Sequence, residues 1–344
     1  MKQKITISDV AKEVGAAIST VSVALSGRPG VSEKRRAEIQ RAAFEMGYRP
    51  DRQAALIRLD RSYLLGVVYY MEQEFQTSLM DPLYRYAEKQ GYRLVAAGCV
   101  GLRSEMDCIE SLLQDRCEGI ILIGTKLSGE YLEKVASTIP LITLCQESGS
   151  KNVDAVVSND ALGIEEGFQY LQKQGLGDIV HICGDNQANA RVREAAFRRC
   201  LKESGLSSSE SVANRIYQGG QNPGDGARVA DEILHQVSRG DRELPRAVMC
   251  FNDLCAQGFM IRMWQEGIKI PQEVAVVGFD DTPIAAEPYV ELTTVRQNRE
   301  QLARLAVERV VEHIEFFLDE ENYAKKWDVS ERQVETRLIV RKTA

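Results

Sequence analysis

Residues 6–25 read TISDVAKEVGAAISTVSVAL, and this stretch decides the fold of the N-terminal part of the chain. Thr6 and Asp9 have the spacing of a helix-capping box, and apolar residues then recur at helical spacing as far as Gly15, a residue type that commonly ends helices. The stretch therefore predicts a short helix, a turn, and a second short helix from about Ala17 to Ser26.

A third helix is expected between Ser32, at its N-cap, and Gly47, at its end. Two short helices with a glycine-containing turn, then a third, predict a helix-turn-helix, whose second helix enters the major groove of DNA. Ile18 and Val23 would face outward, where they could contact thymine methyl groups. Hydroxyl groups that could bind phosphates stand at Ser19, Thr20, Ser22 and Ser32. The residues alone also fit a small helical dimerisation domain.

The charge of the chain is unevenly distributed. Residues 1–62 contain 12 Lys and Arg against 7 Asp and Glu, whereas the rest of the chain contains 31 against 43. A basic head on an acidic body indicates that only the head meets a polyanion, although a head that binds a membrane surface would show the same charge.

Composition narrows the class of protein. No run of roughly 18 apolar residues could span a membrane, and the N-terminus lacks the apolar core of a signal peptide. None of the eight cysteines forms a CxxC pair. These features predict a cytoplasmic protein with free thiols, no membrane partner and no zinc site.

Four spaced segments of the head closely resemble the head of the LacI/GalR family of bacterial repressors. They are Thr6–Ala11, Ser19–Ser22, Arg28–Ser32 and Gly47–Pro50. The resemblance implies a homodimer that binds a pseudo-palindromic, double-stranded DNA operator, because the symmetry of the protein matches that of the half-sites.

The same resemblance assigns roles in DNA binding. Base-reading positions fall on Ile18, Ser19 and Val23, and phosphate-binding positions on Thr6, Ser22, Ser32 and Tyr48. Two departures prevent the operator sequence from being copied from relatives: Val23 stands where many members carry Arg, and Ala17 where a Ser N-cap is usual.

Residues 51–59 form a short helical run that would be marginal alone. In the resembled family this segment folds on DNA, which places Ala54 and Ile57 against the operator, with Ile57 wedged into a base step of the minor groove. Asp51 stands where Asn is usual and would oppose phosphate. The alternative is a plain linker whose Leu56 and Ile57 dock on the body.

From Leu64 onward, apolar strands alternate with amphipathic helices. Such alternation predicts parallel sheets with right-handed crossovers, arranged as two doubly wound lobes whose ligand binds in the cleft between them. The predicted domains are a head (1–50), a hinge helix or linker (51–62) and a body (63–344). Lobe 1 is expected at about 63–159 and 295–325, and lobe 2 at about 160–291 and 326–344.

The body resembles the periplasmic-binding-protein-like sensor of the same family, through landmarks such as Asn159-Asp160, Asn252-Asp253 and Gly278–Asp281. The resemblance implies a sugar-like or nucleoside-like effector held by Phe75, Asp160, Arg193, Asn252 and Asp280. Polyols suit such a set because Arg donates, Asp accepts and Asn does both.

Each main effector position also has a structural alternative. Arg193 could pair with Glu194 or Asp185 at the surface, Asp280 could cap a turn, and Asn252 could be only an N-cap. The loop of residues 71–77 lacks the usual Asn-Pro-Phe signature, and Asn159-Asp160 inverts the common order. Effector identity is therefore left open.

No catalytic signature accompanies these residues. The sequence contains no phosphate-binding glycine loop after a strand and no HExxH motif. We therefore expect a regulator, most simply a repressor, without enzymatic activity, cofactor or metal. The absence of a leucine heptad after Arg341 favours a dimer over a tetramer. The alternatives are a regulator controlled by a partner protein, a transporter's solute-binding protein, and a sugar-binding protein or enzyme with an accessory head.

Overall fold

The computed structural model describes residues 5–25, 29–48, 61–185, 187–205, 212–322 and 325–344. The chain divides into two compact units, residues 1–62 and residues 63–344, and each unit has its own apolar core.

The first unit contains three helices, α1 (Ile7–Glu13), α2 (Ile18–Leu25) and α3 (Glu33–Glu45). Thr6 caps α1, since its hydroxyl oxygen accepts from the Asp9 backbone N–H over 3.4 Å while the Asp9 carboxylate accepts from the Thr6 backbone N–H over 2.8 Å. The core is small and fully buried, and its centre consists of Val10, Val21, Ala24 and Ile39. These contacts give the predicted helix-turn-helix.

The second unit contains two six-stranded sheets. The first has the order β2-β1-β3-β4-β5-β11 and is parallel throughout. Its strands are β1 (Leu64–Tyr70), β2 (Arg93–Cys99), β3 (Gly119–Ile123), β4 (Leu141–Leu144), β5 (Asp154–Ser158) and β11 (Glu331–Val334).

The second sheet has the order β7-β6-β8-β9-β10-β12, and only β12 is antiparallel to its neighbour. Its strands are β6 (Ile179–Cys183), β7 (Ile216–Gln218), β8 (Ala247–Cys250), β9 (Ala275–Asp280), β10 (Thr293–Gln297) and β12 (Thr336–Ile339).

Helices cover both faces of each sheet. In the first lobe they are α4 (Glu74–Ser78), α5 (Met80–Lys89), α6 (Glu105–Gln114), α7 (Gly129–Ala136) and α12 (Arg299–Leu318). In the second they are α8 (Asp160–Lys173), α9 (Ala188–Glu203), α10 (Pro223–Ser238) and α11 (Asp253–Gln265). Because both faces are covered, central strands such as β3 and β8 are buried along their whole length. This is the predicted doubly wound architecture. No described helix is both long and apolar enough to cross a bilayer.

The backbone crosses between the lobes three times within one small region. The crossings follow Ser158, Gln297 and Val334, and they are bonded to one another: the Asn159 N–H donates to the Val334 carbonyl over 2.7 Å, and the Ser158 hydroxyl donates to the Gln297 amide oxygen. The lobes are therefore joined by three adjacent strands of chain.

These crossings correct two of the expected lobe limits. Residues 295–297 end β10 and belong to the second sheet, although the sequence placed them in lobe 1. Residues 331–334 form β11 and pair in parallel with β5, so they belong to lobe 1. The sequence misplaced them because β11 is a polar edge strand, which shows no buried pattern.

Candidate functional site

A cavity between the lobes lies at the carboxyl ends of strands from both sheets. Seven of the side chains that line it are amides, namely Gln73, Gln76, Gln187, Asn189, Gln221, Asn252 and Gln297. The other lining residues include Phe75, Gly124, Cys145, Arg193, Phe251 and Asp280. Of the five predicted effector positions, only Asp160 is not part of this wall, and it lines an adjoining cavity instead.

Arg193 projects from α9 and is only 2% exposed. Its Nε donates to Oδ2 of Asp160 over 2.9 Å, and Nη1 donates to the Phe251 carbonyl over 2.6 Å. Its guanidinium carbon lies 3.5 Å from the centre of the Phe279 ring, and Nη2 lies 3.9 Å from Oδ1 of Asp280. The charge of Arg193 is therefore balanced inside the protein before any ligand arrives.

The alternative pairing of Arg193 at the surface is wrong. Glu194 accepts from Arg198 over 2.6 Å, and Asp185 accepts from the Gln221 amide over 3.1 Å. The guanidinium of Arg193 points the other way, into the interlobe cavity, because Arg193 lies on the buried face of α9.

Asp280 ends β9 with a backbone φ of 112°, a conformation that is uncommon outside glycine. Its Oδ1 accepts from the Gln297 amide over 2.6 Å. Burial raises the pKa of Asp280 to about 7, and the nearby Arg193 limits that rise. The neighbouring Asp281 instead pairs with Arg296 and Arg341, so the two carboxylates have separate environments.

Asn252 serves as the N-cap of α11. Its amide oxygen accepts from the Cys255 backbone N–H over 2.8 Å, and its amide nitrogen donates to the Gln221 carbonyl over 3.0 Å. The N-cap interpretation is therefore correct, and the side chain also lines the cavity. Asp253 is fully buried and accepts from Thr282 and Thr294, which makes it a structural residue.

Phe75 lies in the short helix α4, where the sequence suggested a loop. Its ring is almost fully buried in the core of the first lobe and contributes one edge to the cavity. The adjacent Gln76 is held in place because its oxygen accepts from the Tyr70 backbone N–H over 2.7 Å. Gly124 leaves room for this amide, since a Cβ there would approach Nε2 of Gln76 to 2.5 Å.

Asp160 is the first residue of α8 and is 5% exposed. Oδ2 pairs with Arg193, whereas Oδ1 is buried and has no hydrogen-bond partner in the described part of the protein. Burial raises the pKa of Asp160, and Arg193 opposes this rise.

The predicted DNA-contacting residues of the head are all accessible where they are described. Thr6, Ser19, Ser22 and Ser32 are exposed, Ile18 is 50% exposed, and Thr20, Val23 and Tyr48 are half-buried. The Ser32 hydroxyl accepts from the Arg35 backbone N–H, so its own proton can be donated, whereas the Thr6 hydroxyl already donates to Asp9. Ala54 and Ile57 lie outside the described residues. DNA contact by all these residues stays a prediction.

Apart from Asn252, the sequence analysis missed the amide side chains of the interlobe wall. Gln221 lies just beyond β7 and Gln297 is the last residue of β10, both in the second sheet, and these positions could have drawn attention to them. The residue type alone did not indicate a binding site, because Gln and Asn are common on protein surfaces.

Comparison with protein-family models gives two matches along the chain. Residues 6–51 match the model of bacterial regulatory proteins of the lacI family, and residues 168–344 match a periplasmic binding protein-like domain.

Curated relatives cover nearly the whole chain. The HTH-type transcriptional repressor PurR of Vibrio parahaemolyticus is 29% identical over 314 residues, which is 90% of this chain and 92% of the relative. The ribose operon repressor of Escherichia coli is 28% identical over 318 residues, with 90% and 93% covered.

Solved structures share the fold. A LacI transcriptional regulator from a Rhodococcus species is 28% identical with a TM-score of 0.73, and the match covers 81% of this chain and 97% of that one. The Lac repressor dimer bound to operator and an anti-inducer is 22% identical with a TM-score of 0.80, and 99% of each chain is covered.

Proposed function

Because the chain belongs to the LacI family of bacterial regulatory proteins, we propose that it is a repressor controlled by a small, hydroxyl-rich effector without anionic groups in the amide-lined interlobe cavity. The chain is a DNA-binding transcription regulator, and not an enzyme. The main support for the proposed effector class is the internal pairing of Arg193 with Asp160 and Asp280.

The electrostatics of the cavity disfavour an anionic effector. Arg193 is the only Lys or Arg of the described residues that lines this cavity, and two carboxylates face it. A phosphate group would therefore enter without an unbalanced cation to receive it, at a substantial desolvation cost.

The amide lining instead suits a neutral ligand. Each Gln or Asn side chain can donate and accept, as a hydroxyl does, so a polyol can bond to several of them at once. Relatives are consistent with such a ligand by name: one is the ribose operon repressor, and one solved relative of similar fold is a CelR–cellobiose complex. A nucleobase edge, which also both donates and accepts, is the second class that such amides could bind.

We propose a homodimer on a pseudo-palindromic operator. An apolar group of exposed side chains on the first lobe supports this, because water-exposed apolar surface of this size often marks an interface. The group consists of Met71, Val100, Leu102, Met106 and Leu113, and Leu102 is fully exposed. A solved structure of similar fold is a repressor dimer. The cytoplasm, where the operator would lie, is the proposed location.

A thermal-shift screen tests the proposed effector class. Neutral sugars, polyols and nucleosides should include a ligand that raises the Tm of the full-length protein and changes its affinity for operator DNA in a fluorescence-anisotropy titration. The matching sugar phosphates serve as controls and should shift the Tm less. If only phosphorylated compounds stabilise the protein, the charge argument is wrong. Response to a partner protein alone would favour a different kind of regulation.

A further inference from the structure

A second cavity of about 60 Å³ adjoins the effector cavity and shares Cys145 and Asn189 with it. Lobe 1 contributes Gln146 and Glu147, which follow β4, and Glu331, which begins β11. Lobe 2 contributes the first residue of α8, Asp160. A ligand here would contact both lobes.

Two hydrogen-bond acceptors of this wall are buried without a partner in the described part of the protein. They are Oδ1 of Asp160 and Oε1 of Gln146, whose side chains belong to residues that are 5% and 7% exposed. Both side chains are fixed by their other ends, since Asp160 accepts from Arg193 and the Gln146 amide nitrogen donates to the Thr125 carbonyl. Buried acceptors without donors are unfavourable and rare, so each of the two oxygens is expected to have a donor.

The charges around this cavity are acidic. Glu147 and Glu331 add to Asp160, and no described Lys or Arg lines the cavity or forms an ion pair with either glutamate. Lys126 and Arg191 line a wider neighbouring cavity, which shares Gln146, Glu147 and Ala188 with this one. Partial burial and the charge of Glu147 both raise the pKa of Glu331.

We propose that the cavity formed by Gln146, Glu147, Asp160 and Glu331 binds a primary ammonium group. An ammonium group has three N–H donors and no acceptor, so it can donate to the orphaned oxygens that it reaches while it offsets the carboxylates. A hydroxyl offers a single donor and no charge. A metal ion fits less well, because Glu147, Asp160 and Glu331 line the cavity without converging closely enough, among the described residues, to form a metal-binding group.

The ammonium group could be a substituent of the effector, reaching past Cys145 and Asn189, or it could belong to a separate small amine. Either source places a positive charge where both lobes meet, and so favours the closed arrangement of the cleft. The inference rests on the proposed interlobe effector cavity, but it concerns a neighbouring wall.

The test uses thermal unfolding of the full-length protein in methylammonium chloride and in tetramethylammonium chloride, at equal concentration. The two cations have the same charge, but only methylammonium carries N–H donors. We expect the Tm to be higher in methylammonium by about 2 °C or more. Equal Tm values would overturn the proposal and leave a water molecule as the partner of the two oxygens.

A double variant, Glu147→Gln with Glu331→Gln, should lose this difference. Both glutamates are exposed, so the variant should fold. A matched variant, Glu130→Gln with Glu203→Gln, changes one exposed glutamate on each lobe away from the cavity and should keep the difference. A difference that persists in the first variant would also overturn the proposal.

Amino sugars then distinguish the two sources. If glucosamine or galactosamine stabilises the protein more than the parent sugar and methylammonium together, the ammonium group belongs to the effector. If the amino sugars give no such gain, and methylammonium still raises the Tm, the ammonium group belongs to a separate amine. A neutral sugar that stabilises the Glu147→Gln, Glu331→Gln variant as well as the natural protein shows that the proposed function stands even where this inference fails.

Discussion

The side-chain amide of Gln297 donates to Oδ1 of Asp280 over 2.6 Å, and its oxygen accepts from the hydroxyl of Ser158. Gln297 and Ser158 both stand where the backbone passes from one lobe to the other, whereas Asp280 faces the effector cavity. A hydroxyl that bonds to Asp280 therefore acts on a side chain that is bonded to Gln297 at one crossing and is connected through Gln297 to Ser158 at another. This contact offers a short physical connection between effector binding and the angle between the lobes.

Asp280→Ala should abolish the response to the effector and leave operator binding intact. Among the described residues, the variant removes the only carboxylate that lines the effector cavity, and a hydrogen bond to a charged group contributes about 1.5–3 kcal/mol, or roughly 10- to 100-fold in affinity. Effector affinity is measured by calorimetry and operator affinity by anisotropy. Asp241→Ala, at an exposed surface position, is the control and should change neither value. Induction that survives in Asp280→Ala would show that the effector binds elsewhere.

The raised pKa of Asp280 predicts how stability depends on pH. Its ordinary value is 3.8, and the folded protein holds it at about 7. Between these values the folded state keeps a proton that the unfolded chain has released, so this group's contribution to the free energy of unfolding falls as the pH rises through the window.

Asp280→Asn removes the titrating group with little change of shape. Relative to this variant, the natural protein should therefore lose stability between about pH 4 and pH 7 and change no further above it. Urea unfolding followed by tryptophan fluorescence suits the measurement, because Trp264 and Trp327 both lie in the body. Parallel pH profiles for the two proteins would contradict the assignment of the raised pKa.

Ile57→Ala tests the predicted wedge in the hinge segment, which lies outside the described residues. Loss of the wedge should weaken operator binding by about tenfold, because the contacts that repay unstacking of the base step are lost. Effector affinity should not change, since the cavity residues are elsewhere in the chain. Leu56→Ala is the neighbouring control. An unchanged operator affinity in Ile57→Ala would favour the plain-linker alternative.

Leu102→Asp tests the proposed dimer face. A charge at Leu102, the most exposed member of the apolar group, should convert the protein from dimer to monomer in sedimentation velocity and reduce operator affinity, because one protomer reads only one half-site. Lys173→Asp adds the same side chain at an exposed position in the second lobe and should leave the dimer intact. A Leu102→Asp protein that remains dimeric would place the interface elsewhere.

The central strands could be predicted from sequence because burial on both faces leaves a continuous apolar run. The strands Leu64–Tyr70, Ile179–Cys183 and Ala247–Cys250 are runs of this kind. Edge strands lack that pattern: Ile216–Gln218 and Glu331–Val334 each have polar positions open to solvent, so they went unpredicted and the lobe limits shifted with them.

The site was predictable in part. Phe75, Arg193, Asn252 and Asp280 line one cavity, as the family resemblance implied, although their contact with an effector stays a prediction. The unpartnered oxygen of Asp160 could not be foreseen, because it depends on how Arg193 is oriented in three dimensions.

The contacts of Trp327 also could not be predicted from the sequence. Its ring lies 4.2 Å from that of His313, and its indole N–H donates to Asp154 over 2.6 Å. These contacts join residues that are far apart along the chain, so no local pattern records them.

The three adjacent crossings limit how the lobes can move. A sliding motion would strain three covalently continuous backbones and the hydrogen bond between Ser158 of lobe 1 and Gln297 of lobe 2. Rotation about a line through the crossings requires only small changes in a few backbone torsions. We therefore expect hinge-like rotation to be the least costly motion of the cleft, so that effectors of quite different chemistry would share the same lever.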